Sequence, residues 1–202
     1  MRKSTDALIV IDVQNDFCPG GSLAVDGGDA IVPRINAMMR EYAVRVLTQD
    51  WHPADHLSFA ANHPGADAFS LVDMPYGPQV LWPVHCVQGG PGAEFHAGLS
   101  TAPADLIIRK GFRPAIDSYS AFFENDHVTP TGLEGYLRTR KVSAIALVGL
   151  ATDFCVAYSA LDAARLGFDV TVHMGACRAI DLHGSLKNAE QLIQAAGVTL
   201  AD

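Results

Sequence analysis

The chain has little of several things, and each shortage excludes something. No apolar run approaches the roughly 18 residues that read as a transmembrane helix, so no membrane span is expected. Basic residues are few. Fourteen Lys and Arg against 22 Asp and Glu leave a net charge of −8, which argues against a nucleic-acid or anionic-membrane surface. The N-terminus passes from Met1–Arg2–Lys3 toward a strand at Ala7 without the apolar core and small-residue cleavage site of a signal peptide. The four cysteines, at 18, 86, 155 and 177, show neither Cys-x-x-Cys nor zinc-ribbon spacing. Reduced thiols in a cytoplasm are therefore expected, with Cys18, Cys86 and Cys177 structural. No repeat, low-complexity tract or linker is visible. The 202 residues are expected to form a single domain over 1–202.

What is present is an apolar majority in regular alternation. Apolar residues make up 49% and charged residues 18%, enough for a soluble α/β protein with a sizeable core. Strands are expected at 7–11, 44–48, 106–109, 143–149 and 168–173. Helical spacing appears between them. Ile31, Val32, Ile35, Met38, Met39 and Tyr42 share one face, with Asp29 as the expected N-cap. Val156, Ala160, Leu161, Ala163 and Ala164 make a small-residue helix ending at Gly167, and Leu186, Ala189, Leu192, Ile193 and Ala196 a last one ending at Gly197. Strands alternating with helices imply a doubly wound, mainly parallel sheet. Residues 52–104 break the rhythm with Pro, Gly and His. An ordered, irregular excursion over a pocket is the expectation there.

In an open parallel sheet the carboxyl ends of the strands form the ligand crevice. Three such ends carry reactive groups: Asp12 after Leu8–Ile11, Lys110 after Leu106–Ile108, and Cys155 after Ala144–Leu150 and a tight turn. A thiol where a helix begins is biased toward thiolate, and Lys110 as ammonium would favour that form further. The same backbone N–H groups could hold an oxyanion. Asp12 could take the thiol proton and return it to a leaving group. Each residue has an ordinary alternative: Cys155 as a buried structural thiol, Asp12 as a turn cap, Lys110 as a solvated charge. Their joint placement carries the argument.

A fourth strand end, Val44–Thr48, runs into Gln49–Asp50–Trp51–His52–Pro53. Asp50 and His52 alternate along an extended segment and so share one face. A carboxylate and an imidazole there, with a third ligand from His56 or His85, suit a divalent metal with open positions. Zinc is the first choice, with iron or manganese as alternatives. His63, His96, His127, His173 and His183 match no ligand pattern.

Blocks along the chain resemble nicotinamidases (which include pyrazinamidases) of the isochorismatase-like cysteine hydrolase superfamily. They are Ile11–Phe17, Gly20–Val25, Asp50–Pro53, Trp82–Gly89, Lys110–Gly111, Asp117–Phe122 and Gly149–Val156, in family order from about residue 7 to 178. The resemblance implies a three-layer α/β/α fold. It implies a catalytic triad of Asp12, Lys110 and Cys155, and metal ligands Asp50, His52 and His85. His56 falls where some members supply an additional ligand. It implies a cis Leu150–Ala151 peptide, with the Ala151 and Cys155 N–H groups as the oxyanion hole, and Phe17, Trp82 and Tyr119 around the substrate ring. The implied reaction is hydrolysis of nicotinamide to nicotinate and ammonia through a Cys155 thioester, in NAD salvage, and of pyrazinamide likewise. The expected partner is that small molecule, with no nucleic acid or membrane; a homo-oligomer is left open. Two other readings compete: a related hydrolase of another small amide or N-carbamoyl compound, which would not need Asp50, His52 and His85, and a non-catalytic binding protein, which would not need a nucleophile.

Overall fold

A computed structural model describes residues 3–202; Met1 and Arg2, part of the N-terminal reading, lie outside the described residues. The first half contributes strand β1 (Asp6–Ile11), helix α1 (Val32–Met39), strand β2 (Val44–Asp50), a hairpin of β3 (Leu71–Met74) and β4 (Gly77–Val80), and strand β5 (Leu106–Lys110). The second half contributes α2 (Leu133–Thr139), β6 (Ala144–Leu150), a π-turn over Thr152–Val156, α3 (Ala157–Arg165), β7 (Asp169–Arg178), α4 (Ser185–Ala195) and β8 (Thr199–Ala201). Six strands form one sheet in the order β5-β2-β1-β6-β7-β8, and every pairing in it is parallel. With its helices it is the three-layer α/β/α class expected. Among the described residues no helix is long and apolar enough to cross a membrane.

Parallel strands covered on both faces lose the apolar–polar alternation of a half-exposed sheet. Ala7–Ile11 is buried at every position, whereas β5, at the sheet edge, exposes Ile107 and Arg109 and buries Lys110. Part of each expected stripe is buried: Val32, Ile35 and Met39 on α1, Ala160 and Ala163 on α3 with Ala157 beside them, and Ala189 and Ile193 on α4, where Leu192 and Ala196 are instead exposed. Gly167 and Gly197 follow α3 and α4 with φ of 82° and 80°, the left-handed conformation that ends helices.

Several boundaries differ from expectation: β7 runs beyond 173 to Arg178, and α1 ends at Met39, short of Tyr42. Asp29 does not cap α1; the helix starts at Val32 with Pro33 in its first turn and no side-chain cap. Successive tight turns lead in, with Ala30 N–H donating to the Gly27 carbonyl and Val32 N–H to that of Asp29. The backbone of Asp29, not its carboxylate, satisfies a helix-start donor.

β1 and β6 are neighbours, yet the chain winds outward from β1 through β2 to β5 before returning to β6. That reversal opens a crevice beyond their carboxyl ends. Over it folds the excursion of residues 52–104. His52 forms a parallel bridge with Val87, Phe59 with Trp82, and Gln14 an antiparallel one with Phe95. These bridges double the segment back on itself, so that residues 33 apart in sequence, His52 and His85, meet.

Candidate active site

The three strand ends converge. Lys110 Nζ lies 2.8 Å from Asp12 Oδ2 and donates to Cys155 Sγ at 3.6 Å, so the ammonium bridges the carboxyl group and the thiol. The ordinary alternatives for two of these residues do not fit their surroundings. Lys110 is 1% exposed and Asp12 is fully buried, so neither a solvated charge nor a surface turn cap describes them. Asp12 is held from β2, where the Thr48 hydroxyl donates to its Oδ1 at 2.5 Å and accepts from its backbone N–H at 3.1 Å. Lys110 Nζ also donates to the Ser118 carbonyl at 2.7 Å and to Asp50 Oδ1 at 3.1 Å.

Cys155 enters from the π-turn that follows β6. The Leu150–Ala151 peptide is cis, as the family pattern implies. Phe154 and Val156 N–H both donate to the Ala151 carbonyl, at 3.2 and 3.1 Å, which leaves the Cys155 N–H between two donors already engaged. Gly149 permits the approach of β6 to β1: at φ 119°, a Cβ there would sit 2.1 Å from the Ile11 carbonyl oxygen.

Electrostatics revise one expectation. Cys155 is not biased toward thiolate; burial pushes its pKa well above the ordinary range, and Asp12 and Asp50 add to that rise against the opposing pull of Lys110. Burial also raises Asp12, again against Lys110. Lys110 itself is held well above the usual lysine range. Burial opposes its charge, but Asp12, Asp50 and Cys155 outweigh it. The resting constellation is thus a protonated thiol beside the Asp12 carboxyl group, whose pKa burial raises, and a charged Lys110 ammonium. A helix start alone did not decide the thiol's state, because desolvation is the larger effect.

Beside it lies a second group. Ligand atoms of Asp50, His52 and His85 fall within 4.8 Å of one another, and all three residues are buried. His52 Nε2 is 2.8 Å and His85 Nε2 3.4 Å from Asp50 Oδ2. The far nitrogens face backbone carbonyls: His52 Nδ1 meets that of Gly111 and His85 Nδ1 that of Pro83, both at 2.8 Å. A carbonyl only accepts, so each Nδ1 carries a proton and each Nε2 is the nitrogen turned toward Asp50, the placement metal-binding histidines usually have. The Asp50 carboxylate also only accepts, so His52 Nε2 donates to it, and Asp50 raises the His52 pKa against burial. Two imidazole nitrogens and a carboxylate suit a divalent first-row metal. Burial opposes ionisation of Asp50, but His52 and Lys110 hold it well below the usual carboxylate range, in the form a metal requires. Asp50 is pinned by Gln14, whose amide accepts from Asp50 N–H and donates to its carbonyl, both at 2.8 Å.

His56 sits in a second cluster with His52 and Asp117, but both its ring nitrogens are engaged. Nδ1 accepts from Ser58 N–H at 3.1 Å, so Nε2 holds the proton and faces the Ile116 carbonyl at 3.3 Å. Burial lowers its pKa to about 4, keeping it neutral. The five unassigned histidines join no such cluster among the described residues. Cys18, Cys86 and Cys177 are buried free thiols, with Cys18 pushed up by burial to about 11 and Cys177 to about 12.

One pocket joins the two groups. Phe17, Trp82 and Tyr119 line it as expected, together with Asp50, His85, Ala151 and Cys155. Tyr119 does more than wall it. Its hydroxyl oxygen accepts from Trp82 Nε1 at 3.0 Å and from Gln79 Nε2 at 2.8 Å, which sets the plane of the indole. Leu23, Asp117, Phe154 and Ile180 also line the pocket and were not anticipated. The first three lie inside blocks already singled out, so proximity to those motifs could have suggested them. Ile180 follows β7 and carries no local signal.

Comparison with known proteins gives the family. The family model described as the isochorismatase domain matches residues 6–202. A nicotinamidase of Acinetobacter baylyi is 55% identical over 192 residues, covering 95% of this chain and 90% of that one. A solved nicotinamidase and pyrazinamidase of Acinetobacter baumannii superposes with a TM-score of 0.99 at 53% identity, covering 100% and 98% of the two chains. The pyrazinamidase of Pyrococcus horikoshii, solved in complex with zinc, gives 0.79 at 34% identity over 98% and 99%.

Proposed function

The chain belongs to the isochorismatase family, and from that premise we propose that it is a nicotinamidase, hydrolysing nicotinamide to nicotinate and ammonia through a thioester on Cys155. The observation that carries this reading is the shared pocket: a thiol, a carboxylate and an ammonium in contact on one side, and an Asp/His/His group on the other. An amidase without a ring to anchor has no use for the second group.

Asp50, His52 and His85 would hold a divalent metal, zinc by preference. When bound, that ion supplies a Lewis-acid anchor for the pyridine nitrogen. Phe17 and Trp82 flank the ring by aromatic packing, and Tyr119 keeps the indole in place. Asp12 accepts the Cys155 proton as sulfur attacks the carboxamide carbon. Negative charge moves to the carbonyl oxygen, where the Ala151 and Cys155 N–H groups donate. Asp12 then delivers its proton to nitrogen, the C–N bond breaks, and ammonia leaves. In the second half Asp12 takes a proton from water as the water oxygen attacks the thioester. The C–S bond breaks, nicotinate forms, and the proton returns to sulfur. Lys110 never changes protonation. Its charge offsets the thiolate and keeps Asp12 usable as a base in a dry site.

The product places the reaction in NAD salvage. Pyrazinamide keeps a ring nitrogen in the same position and should be hydrolysed too. The test is ammonia release from nicotinamide before and after chelator treatment. Release that falls on chelation and returns with added zinc, iron or manganese supports the proposal. Release indifferent to chelation removes the Asp50 group from the mechanism, and no release from metal-loaded protein removes the substrate.

A further inference from the structure

Asp153 precedes the nucleophile by two residues and is buried, with 5% of its surface exposed. Its carboxylate does not face the pocket. Oδ1 accepts from Ile180 N–H at 3.0 Å, and Oδ2 from Asp181 N–H at 2.8 Å and from the Ser185 hydroxyl. Two of the donors belong to the segment between β7 and α4, and the third, Ser185, is the first residue of α4. That segment is built from unusual backbone: Asp181, His183 and Gly184 have φ of 53°, 52° and 84°. Gly184, which precedes α4, has no side chain to cap it, and Asp181 Oδ1 accepts from Leu186 N–H at 3.2 Å instead. The Ile180 and Asp181 N–H groups find their acceptors on Asp153, so the carboxylate of a distant turn supplies a fixed point for the segment. The same bonds act in reverse on the turn. Ile180 lines the same pocket as Phe154 and Cys155, so the clamp joins the nucleophile turn to a further part of the pocket wall.

Resting on the nicotinamidase reading, we infer that Asp153 is a positioning residue for catalysis: by gripping the 180–185 segment it fixes the π-turn that sets the Cys155 sulfur and N–H. A carboxylate is required because it offers acceptor sites only. The amide of asparagine would turn an NH2 group toward one of the donors, lose that bond and oppose its neighbour. A nucleophile displaced by about 1 Å loses rate on the order of a hundredfold, while groups that bind the ring are untouched.

The test compares Asp153→Asn and Asp153→Ala with the wild type in two ways. Steady-state kinetics on nicotinamide should show kcat reduced by about tenfold or more with KM and metal content little changed. Hydrogen exchange read by peptide mass should quicken in segments covering both 152–156 and 179–185. Loss confined to KM would mean that the clamp serves only the Ile180 wall, and a kcat within about twofold of wild type would overturn the inference. If the wild type releases no ammonia, the functional reading fails by itself and exchange decides the rest. Loosening of 179–185 with 152–156 unchanged would show that Asp153 anchors α4 and not the nucleophile turn. Asp153→Asn preserves volume and so remains informative if the alanine variant does not fold.

Discussion

Gly111→Ala tests the metal group without touching a ligand. Gly111 follows β5 and its carbonyl accepts from His52 Nδ1 at 2.8 Å. Its φ is 67°, and a Cβ would stand 2.5 Å from His52 Cε1, 2.8 Å from His52 Nδ1 and 3.0 Å from Asp50 Oδ1. Two costs add. The left-handed conformation costs an alanine about 1 kcal/mol relative to glycine. The clash is the larger one, because restoring an ordinary contact needs His52 to withdraw by roughly 0.9 Å, which breaks its bond to the Gly111 carbonyl and turns Nε2 away from Asp50. Loss of such a supporting contact weakens metal binding by about 10- to 100-fold, or about 1.4 to 2.8 kcal/mol. Apo protein titrated with zinc against a competing chromophoric chelator reads this directly. Gly65→Ala is the control. It has φ 80° and nothing within 4 Å of its Cβ, so it carries the backbone cost alone. In thermal melts of metal-free protein both variants should fall, by roughly 2–4 °C for each kcal/mol. Only Gly111→Ala should lose metal affinity. Wild-type affinity in Gly111→Ala would refute the reading of His52 as a ligand held by that carbonyl.

Three further outcomes are expected. Cys155→Ala should abolish ammonia release while metal content, measured on the same sample, stays at the wild-type level; substantial residual turnover would rule out the thioester. Lys110→Met leaves Asp12 and Asp50 buried without their cation, an arrangement that costs about 3–5 kcal/mol. Its melting temperature should therefore drop by roughly 10 °C, and a drop within error would mean the ammonium contributes nothing net. Thr48→Val removes the hydroxyl that bonds Asp12 twice; a buried charge-assisted bond is worth about 1.5–3 kcal/mol, and kcat should fall about tenfold or more with KM held, whereas unchanged kcat would free Asp12 from any need of that support.

Much of the site could be read in the chain because parallel sheets gather strand ends. The apolar runs before Asp12, Lys110 and Asp50 are unambiguous, and once they are parallel neighbours their final residues must approach one another. Asp50 and His52 could be paired by alternation alone. Other parts left no such trace. β8 has three residues and α2 buries only Leu133 and Leu137, too few to show a period. The β3–β4 hairpin turns at Pro75–Tyr76 within a segment rich in Pro and Gly, where alternation is faint. β7 continues to Arg178 after the register shifts against β6 between Leu147 and Gly149, a displacement set by tertiary packing. That continuation delivers Ile180 to the pocket. The thiol's protonation differs from the expectation for a related reason: a helix start is visible in sequence, but the completeness of burial around it is not.

The protonation matters to how Lys110 works. An ammonium has three protons, and four acceptors surround this one: the Ser118 carbonyl at 2.7 Å, Asp12 at 2.8 Å, Asp50 at 3.1 Å and Cys155 Sγ at 3.6 Å. The Ser118 carbonyl, Asp50 Oδ1 and Cys155 Sγ accept its three protons, and Asp12 Oδ2 faces it as an ion pair without a hydrogen bond. The sulfur of a neutral thiol accepts such a bond while keeping its own proton, so the ammonium is already aimed at the atom on which, in the proposed reaction, charge would develop. Burial outweighs that cation while the thiol rests. The same ammonium touches the Asp50 carboxylate that would hold the ion, so one buried charge ties the two groups of the pocket together.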